Sequence, residues 1–102
     1  MIESISDPML TINAGNGSNP VNPTYCREEL DPLKQRPGFS YGKQIPVIYH
    51  NTETVGLIGV DPTGADMTQG SDKIVLPCPP YCPEGDCTDM TTAEAIAYLG
   101  AP

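Results

Sequence analysis

The cysteines are the residues of this chain best suited to chemistry. Three of the four fall in the run Cys78-Pro79-Pro80-Tyr81-Cys82-Pro83-Glu84-Gly85-Asp86-Cys87, and Cys26 stands far upstream. Four thiolates can complete a tetrahedral zinc site, and such a site can hold together a domain with little core. The spacing from Cys78 to Cys82 and from Cys82 to Cys87 fits a knuckle, but the second pair lacks a close partner, leaving Cys26 or His50 to fill it. Disulfides are the second reading. Four cysteines allow three pairings, and a bond from Cys26 to the cluster would close a long loop. Free thiols are the third. All three stay open at this level. Iron–sulfur spacings are not met. A redox thiol needs a lowered pKa, whereas Glu84, Asp86 and Asp89 surround this cluster and would raise it.

No other constellation points to catalysis. His50 is the only histidine. No serine lies in a nucleophile elbow, so His50 has no evident nucleophile to serve. Asp61 to Asp66 resembles a calcium loop only in outline, lacking the alternating oxygens and distant Glu. Gly15-Asn16-Gly17 is too short for a dinucleotide fingerprint, and Asn16-Gly17-Ser18, although a glycosylation pattern, reads as a plain turn. The expectation is a non-enzymatic protein with no cofactor beyond a candidate structural zinc.

The elements that would position these residues are few. Leu, Ile, Val and Phe make 20 of 102 residues, while Gly and Pro make 22. With a net charge of −8, that is a thin core against many turn residues. Residues 1–23 read as an extended arm, with a short strand at Met9–Ile12 and a Gly/Asn/Pro turn segment after it. Residues 24–77 read as a small β domain. Within it Arg27–Leu30 forms one helical turn that Asp31-Pro32 stops. Gln44–His50 and Thr54–Val60 form a hairpin across Asn51–Glu53, and Lys73–Leu76 adds a third strand. Pro46 has no N–H, which puts its strand at an edge or a bulge. Gly56 and Gly59 mark a bulge or a close approach by another backbone. Residues 78–90 form a Cys/Pro-rich loop. Residues 91–100 form a short helix whose Thr91-Thr92-Ala93-Glu94 is a capping box and whose Gly100 ends it. The fold class is therefore small and mainly β: a three-stranded antiparallel meander with an extended N-terminal arm, a Cys/Pro-rich loop and a short C-terminal helix.

Charge narrows the partners. The cations are Arg27, Lys34, Arg36, Lys43 and Lys73, against thirteen acids. Nucleic acid and anionic membranes demand the opposite balance. No apolar stretch is long enough to span a bilayer, and Met1–Ile5 has neither the basic nor the apolar part of a signal peptide. The expectation is cytoplasmic synthesis without a signal peptide. A chain short of core and two turns of helix too short to stand alone both call for a partner surface. The leading expectation is a structural or accessory subunit of a large protein assembly, in the style of a virion capsid cement or decoration protein. It would dock through Ile45, Pro46 and Val47 by strand addition and through Ile96 and Leu99 of the tail helix, onto a basic or edge-strand surface. A homo-oligomer is compatible with this. The rival is a small zinc-binding adaptor or an acidic inhibitor.

Overall fold

The computed structural model describes residues 1–79, 81 and 90–100. Its elements run β1 (Ile2–Ser4), β2 (Leu10–Ile12), β3 (Thr24–Tyr25), α1 (Arg27–Lys34), β4 (Tyr41–Tyr49), β5 (Thr52–Val60), β6 (Lys73–Val75), β7 (Met90–Thr91) and α2 (Thr92–Leu99). The expected meander is matched in part by β4, β5 and β6: β4 pairs with β5 from Tyr41 to Tyr49, whereas β5 meets β6 at Leu57–Val75 alone, both antiparallel. It is the centre of a larger sheet ordered β1-β6-β5-β4-β2. The first twelve residues, read from sequence as an arm, supply both edges. Each edge strand is three residues long, too short to show a clear alternation.

The short link between the edges curls the sheet. β1 and β2 lie at opposite ends of the strand order, yet only Ile5–Met9 joins them. A flat five-stranded sheet would separate its edges by about 19 Å, nearly the full extended reach of that link. The link is not extended, because Asp7 N–H donates to Ser4 O and Leu10 N–H to Asp7 O. The edges must therefore approach one another. The Glu3 carboxylate of β1 acts on the Tyr49 phenol of β4 across the resulting mouth, helping to raise its pKa.

Strand register sorts the side chains into two layers. Leu10, Ile45, Val47, Tyr49, Ile58, Ile74 and Leu76 fill the inside of the curl. Leu57 and Val75 face the other way, under Leu30 and Leu33 of α1, Ala95 and Leu99 of α2, Tyr25 of β3 and Met90 of β7. All six leucines are buried. A sheet used on both faces needs only one thin layer per face, which is how so few apolar residues close a core. The radius of gyration is 12.3 Å, against about 13 Å expected for a folded chain of 100 residues. The described chain therefore closes on itself.

Three local expectations change. The β4–β5 loop is two residues, His50 and Asn51, both at positive φ (49° and 64°), the geometry of a type I′ hairpin whose twist suits its strands. Asn and His are both among the non-glycine residues enriched in that region. Helix α1 does not stop at Asp31 but runs through Pro32 to Lys34. An internal Pro costs about 3 kcal/mol, and burying Leu30 and Leu33 contributes about 1.5–3 kcal/mol each. The gap that Gly56 leaves is filled first by the side chain of Ile74, with the Val75 carbonyl oxygen 3.3 Å from where a Cβ would stand. The tail helix matches expectation. Thr91 Oγ accepts from Glu94 N–H at 3.3 Å, Glu94 Oε1 accepts from Thr91 N–H at 3.1 Å, and Gly100 ends the helix at φ 86°.

Glycines decide how α2 sits. Gly42 and Gly59 are cross-strand partners, so both leave the same strip of the helix-facing side bare. Leu99 lies over Gly42, and Phe39 with Met67 lies over Gly59.

Candidate partner-binding surface

Cys26 and Cys78 are disulfide-bonded, so neither offers a thiolate to zinc. Cys82 and Cys87 lie outside the described residues, as does most of the 78–90 loop. Cys26 is the N-cap residue of α1. Cys78 exchanges backbone hydrogen bonds with Thr24, N–H to O at 2.9 Å and back at 2.8 Å. Both disulfide-bonded residues thus lie where the Thr24–Cys78 backbone bonds join β3 to the chain that follows β6. Among the described residues no group of His, Cys, Asp or Glu could hold a metal ion. The 61–66 segment is a closed turn. Asp61 Oδ1 accepts from Thr63 Oγ at 2.6 Å, Thr63 N–H at 2.9 Å and Ala65 N–H at 3.0 Å. The Thr63 hydroxyl first, then the Ala65 amide, hold its pKa below the usual carboxylate value.

The five residues assigned to partner contact separate. Ile45, Val47 and Leu99 are buried at 2, 0 and 1% exposure inside the chain's own core. Pro46 and Ile96 are half-buried, and Ile96 packs against the helix-side cluster. Strand alternation explains Ile45 and Val47, whose apolar side chains mark the inside of the curl so that only the backbone of β4 is left to meet a partner, while Leu99 is buried because its side chain seats over Gly42.

Pro46 sits where β4 changes from an internal to an edge strand. β2 covers β4 only from Val47 to Tyr49. Pro46 pairs with Val55. Counting from the bonded Tyr49–Thr52 pair at the hairpin, this is a non-bonded pair, so the missing N–H takes no bond from the β5 ladder. Beside it lies a depression of about 310 Å³ lined by Gly15, Asn16, Gly17, Asn19, Gln44 to Pro46 and Val55. A second depression, about 340 Å³, runs along Asn22 to Thr24 and Thr91 to Ala93. Neither is lined by a titratable side chain. Asn19 and Gln44 were not singled out by sequence and Asn16 was read as a plain turn, because Asn in a Gly-rich run signals a turn and says nothing of what the turn faces.

The cations are largely engaged within the chain. Arg36 pairs with Asp72 at 2.5 Å and Lys43 with Asp66 at 2.9 Å. Arg27 and Lys34 lie over the ring of Tyr98, 5.6 and 4.2 Å from its centroid. Tyr98 donates its hydroxyl to Asp31, and this carboxylate raises its pKa. The α-amino group of Met1 pairs with Glu29. At the mouth of the curl Tyr81 donates to the backbone oxygen of Tyr49. The Tyr49 hydroxyl is pushed up to about 12 by burial first and then by Glu3. His50 stands edge-on to Tyr49, centroids 4.3 Å apart. Comparison with family models, curated proteins and solved structures finds no match to this chain.

Proposed function

We propose that this chain is a non-enzymatic accessory subunit that attaches to a larger protein assembly, a virion capsid cement or decoration role being the form we favour. The carrying observation is the disposition of charge. The net charge is −8, and Arg27, Lys34, Arg36 and Lys43 all meet groups of their own chain. A surface of that sign steers towards a basic partner and away from nucleic acid. Two further points support the reading. The depressions beside Pro46 and Thr91 are lined by no titratable side chain that could activate a nucleophile. Disulfides on Cys26 and Cys78 persist in an oxidising medium, which a particle released from a cell would meet.

Gradient sedimentation of the native material tests this, with the chain quantified in every fraction. At low salt it travels with a large particle in many copies, and rising salt sheds it, because exposed charge contacts are screened. An acidic inhibitor would instead travel with a single basic protein. Recovery of all the chain as free protein at low salt overturns the proposal.

A further inference from the structure

The edge of β4 carries a site that neither the core nor the disulfides use. Ala14 N–H donates to Pro46 O at 3.3 Å, and the chain then leaves the sheet. It is fastened again at Asn19, whose Oδ1 accepts from Gln44 Nε2 at 3.1 Å. Between these two ties lies the depression of about 310 Å³, with Gln44 to Pro46 on one wall and Gly15 to Asn19 on the other. The loop cannot collapse into it as a strand. Gly15 and Gly17 hold φ of 78° and 67°, a left-handed backbone that no extended strand contains.

Register determines what the sheet wall offers. Bonded pairs with β5 fall at Tyr49, Val47 and Ile45, so Gln44, opposite Leu57, belongs to a non-bonded pair. Its backbone N–H and C=O aim away from β5, into the slot. Among the described residues no backbone group meets them. A donor and an acceptor side by side at a strand edge are what an added strand pairs with.

We infer that this slot receives an extended, cationic segment of the assembly partner, paired to Gln44 as a short added strand. This rests on the assembly reading above. Charge selects the occupant. Glu53 Oε1 sits at the rim, accepting from Asn16 N–H at 3.1 Å, and no Lys or Arg lines the slot. A second copy of the chain would bring the same Glu53 and the same −8, and like charges oppose edge-to-edge pairing.

The test is an NMR titration of the full, oxidised chain with acetyl-Lys-Val-Lys-Val-Lys-amide. An acidic Glu-Val-Glu-Val-Glu peptide and a version N-methylated at both valines serve as controls. Amide shifts are expected at Gln44 and Gly15 to Asn19, with slowed exchange of the Gln44 N–H and no response to either control. Gln44→Pro removes the outward N–H without touching a β5 bond and abolishes binding, whereas Gln44→Ala, which loses only the Asn19 tie, keeps it. Glu53→Gln keeps an acceptor for Asn16, so the loop stays tied, and weakens the cationic peptide several-fold. No shift at millimolar peptide, shifts centred elsewhere, equal binding of the acidic peptide, or a salt-resistant dimer through β4 each overturns the inference. If the peptide binds but the native chain never travels with a large particle, the assembly reading falls alone. In the reverse case the slot falls alone.

Discussion

Placing one methyl group at Gly42 separates a tail helix seated on its own sheet from one waiting for a partner. A Cβ at Gly42 would stand 2.5 Å from Leu99 Cβ and 3.0 Å from its Cγ. The Leu99 Cβ is fixed to the helix backbone, so no rotamer change relieves it. To reach ordinary van der Waals separation of about 3.8 Å the end of α2 must lift by about 1.3 Å. Leu99 is 1% exposed; overpacking of a seated core costs about 1–3 kcal/mol. Taking 2 kcal/mol and an unfolding entropy of about 2.1 cal/mol/K per residue, Gly42→Ala lowers Tm by about 9 °C. An eight-residue helix has no stability of its own in water, so amide exchange should accelerate along Thr92–Leu99 before the sheet is affected. Thr91→Ala attacks the same helix from its other end, removing the capping box for about 1 kcal/mol. Circular dichroism melts and hydrogen exchange read both variants. Were Gly42→Ala to melt within a degree of the parent with α2 equally protected, α2 would not lie in the Gly42–Gly59 strip, and the argument for a self-contained core would fail.

Two other outcomes follow from the same structure. Reduction should destabilise the chain by about 2–5 kcal/mol, or about 9–23 °C, whereas a chelator should leave Tm unchanged; alkylation of Cys26 or Cys78 in denaturant without reductant would contradict their disulfide state. Stability should also fall in alkali. The unfolded Tyr49 phenol ionises near pH 10 and the folded one near about 12, so in that window the folded state holds a proton the unfolded state has lost, and stability declines as pH rises. Tyr25, raised chiefly by burial, adds to the same decline. Phenolate absorbance against pH, with Tyr49→Phe as control, reads this; a melting temperature flat from pH 9 to about 12 would contradict the buried environment of Tyr49.

Much of the centre was legible. β-branched runs at Gln44–His50 and Thr54–Val60 announce strands through their own sterics. The Thr91–Glu94 spacing announces a helix start, because both halves of its cap lie within one turn. The edges were not legible, since three residues such as Ile2–Ser4 carry too few alternations to show a period. Nor was the continuation of α1 through Pro32, where the local penalty is outweighed by burial of Leu30 and Leu33 that only the sheet provides. The thin apolar complement pointed to a chain that needs help to fold. What composition could not convey is that one sheet would serve two cores.

For the candidate site the division is similar. Local covalent facts carried the sign of the surface charge, the proline that ends a ladder and the glycines of the loop, because each acts through its own residue or its nearest neighbours. Which way Gln44 points its backbone, whether Ile45 and Val47 face a partner or the core, and whether Cys26 meets a metal or a sulfur all depend on register and curl. Those are set by residues tens of positions apart coming to lie within a few ångströms, a relation that no stretch of chain holds by itself.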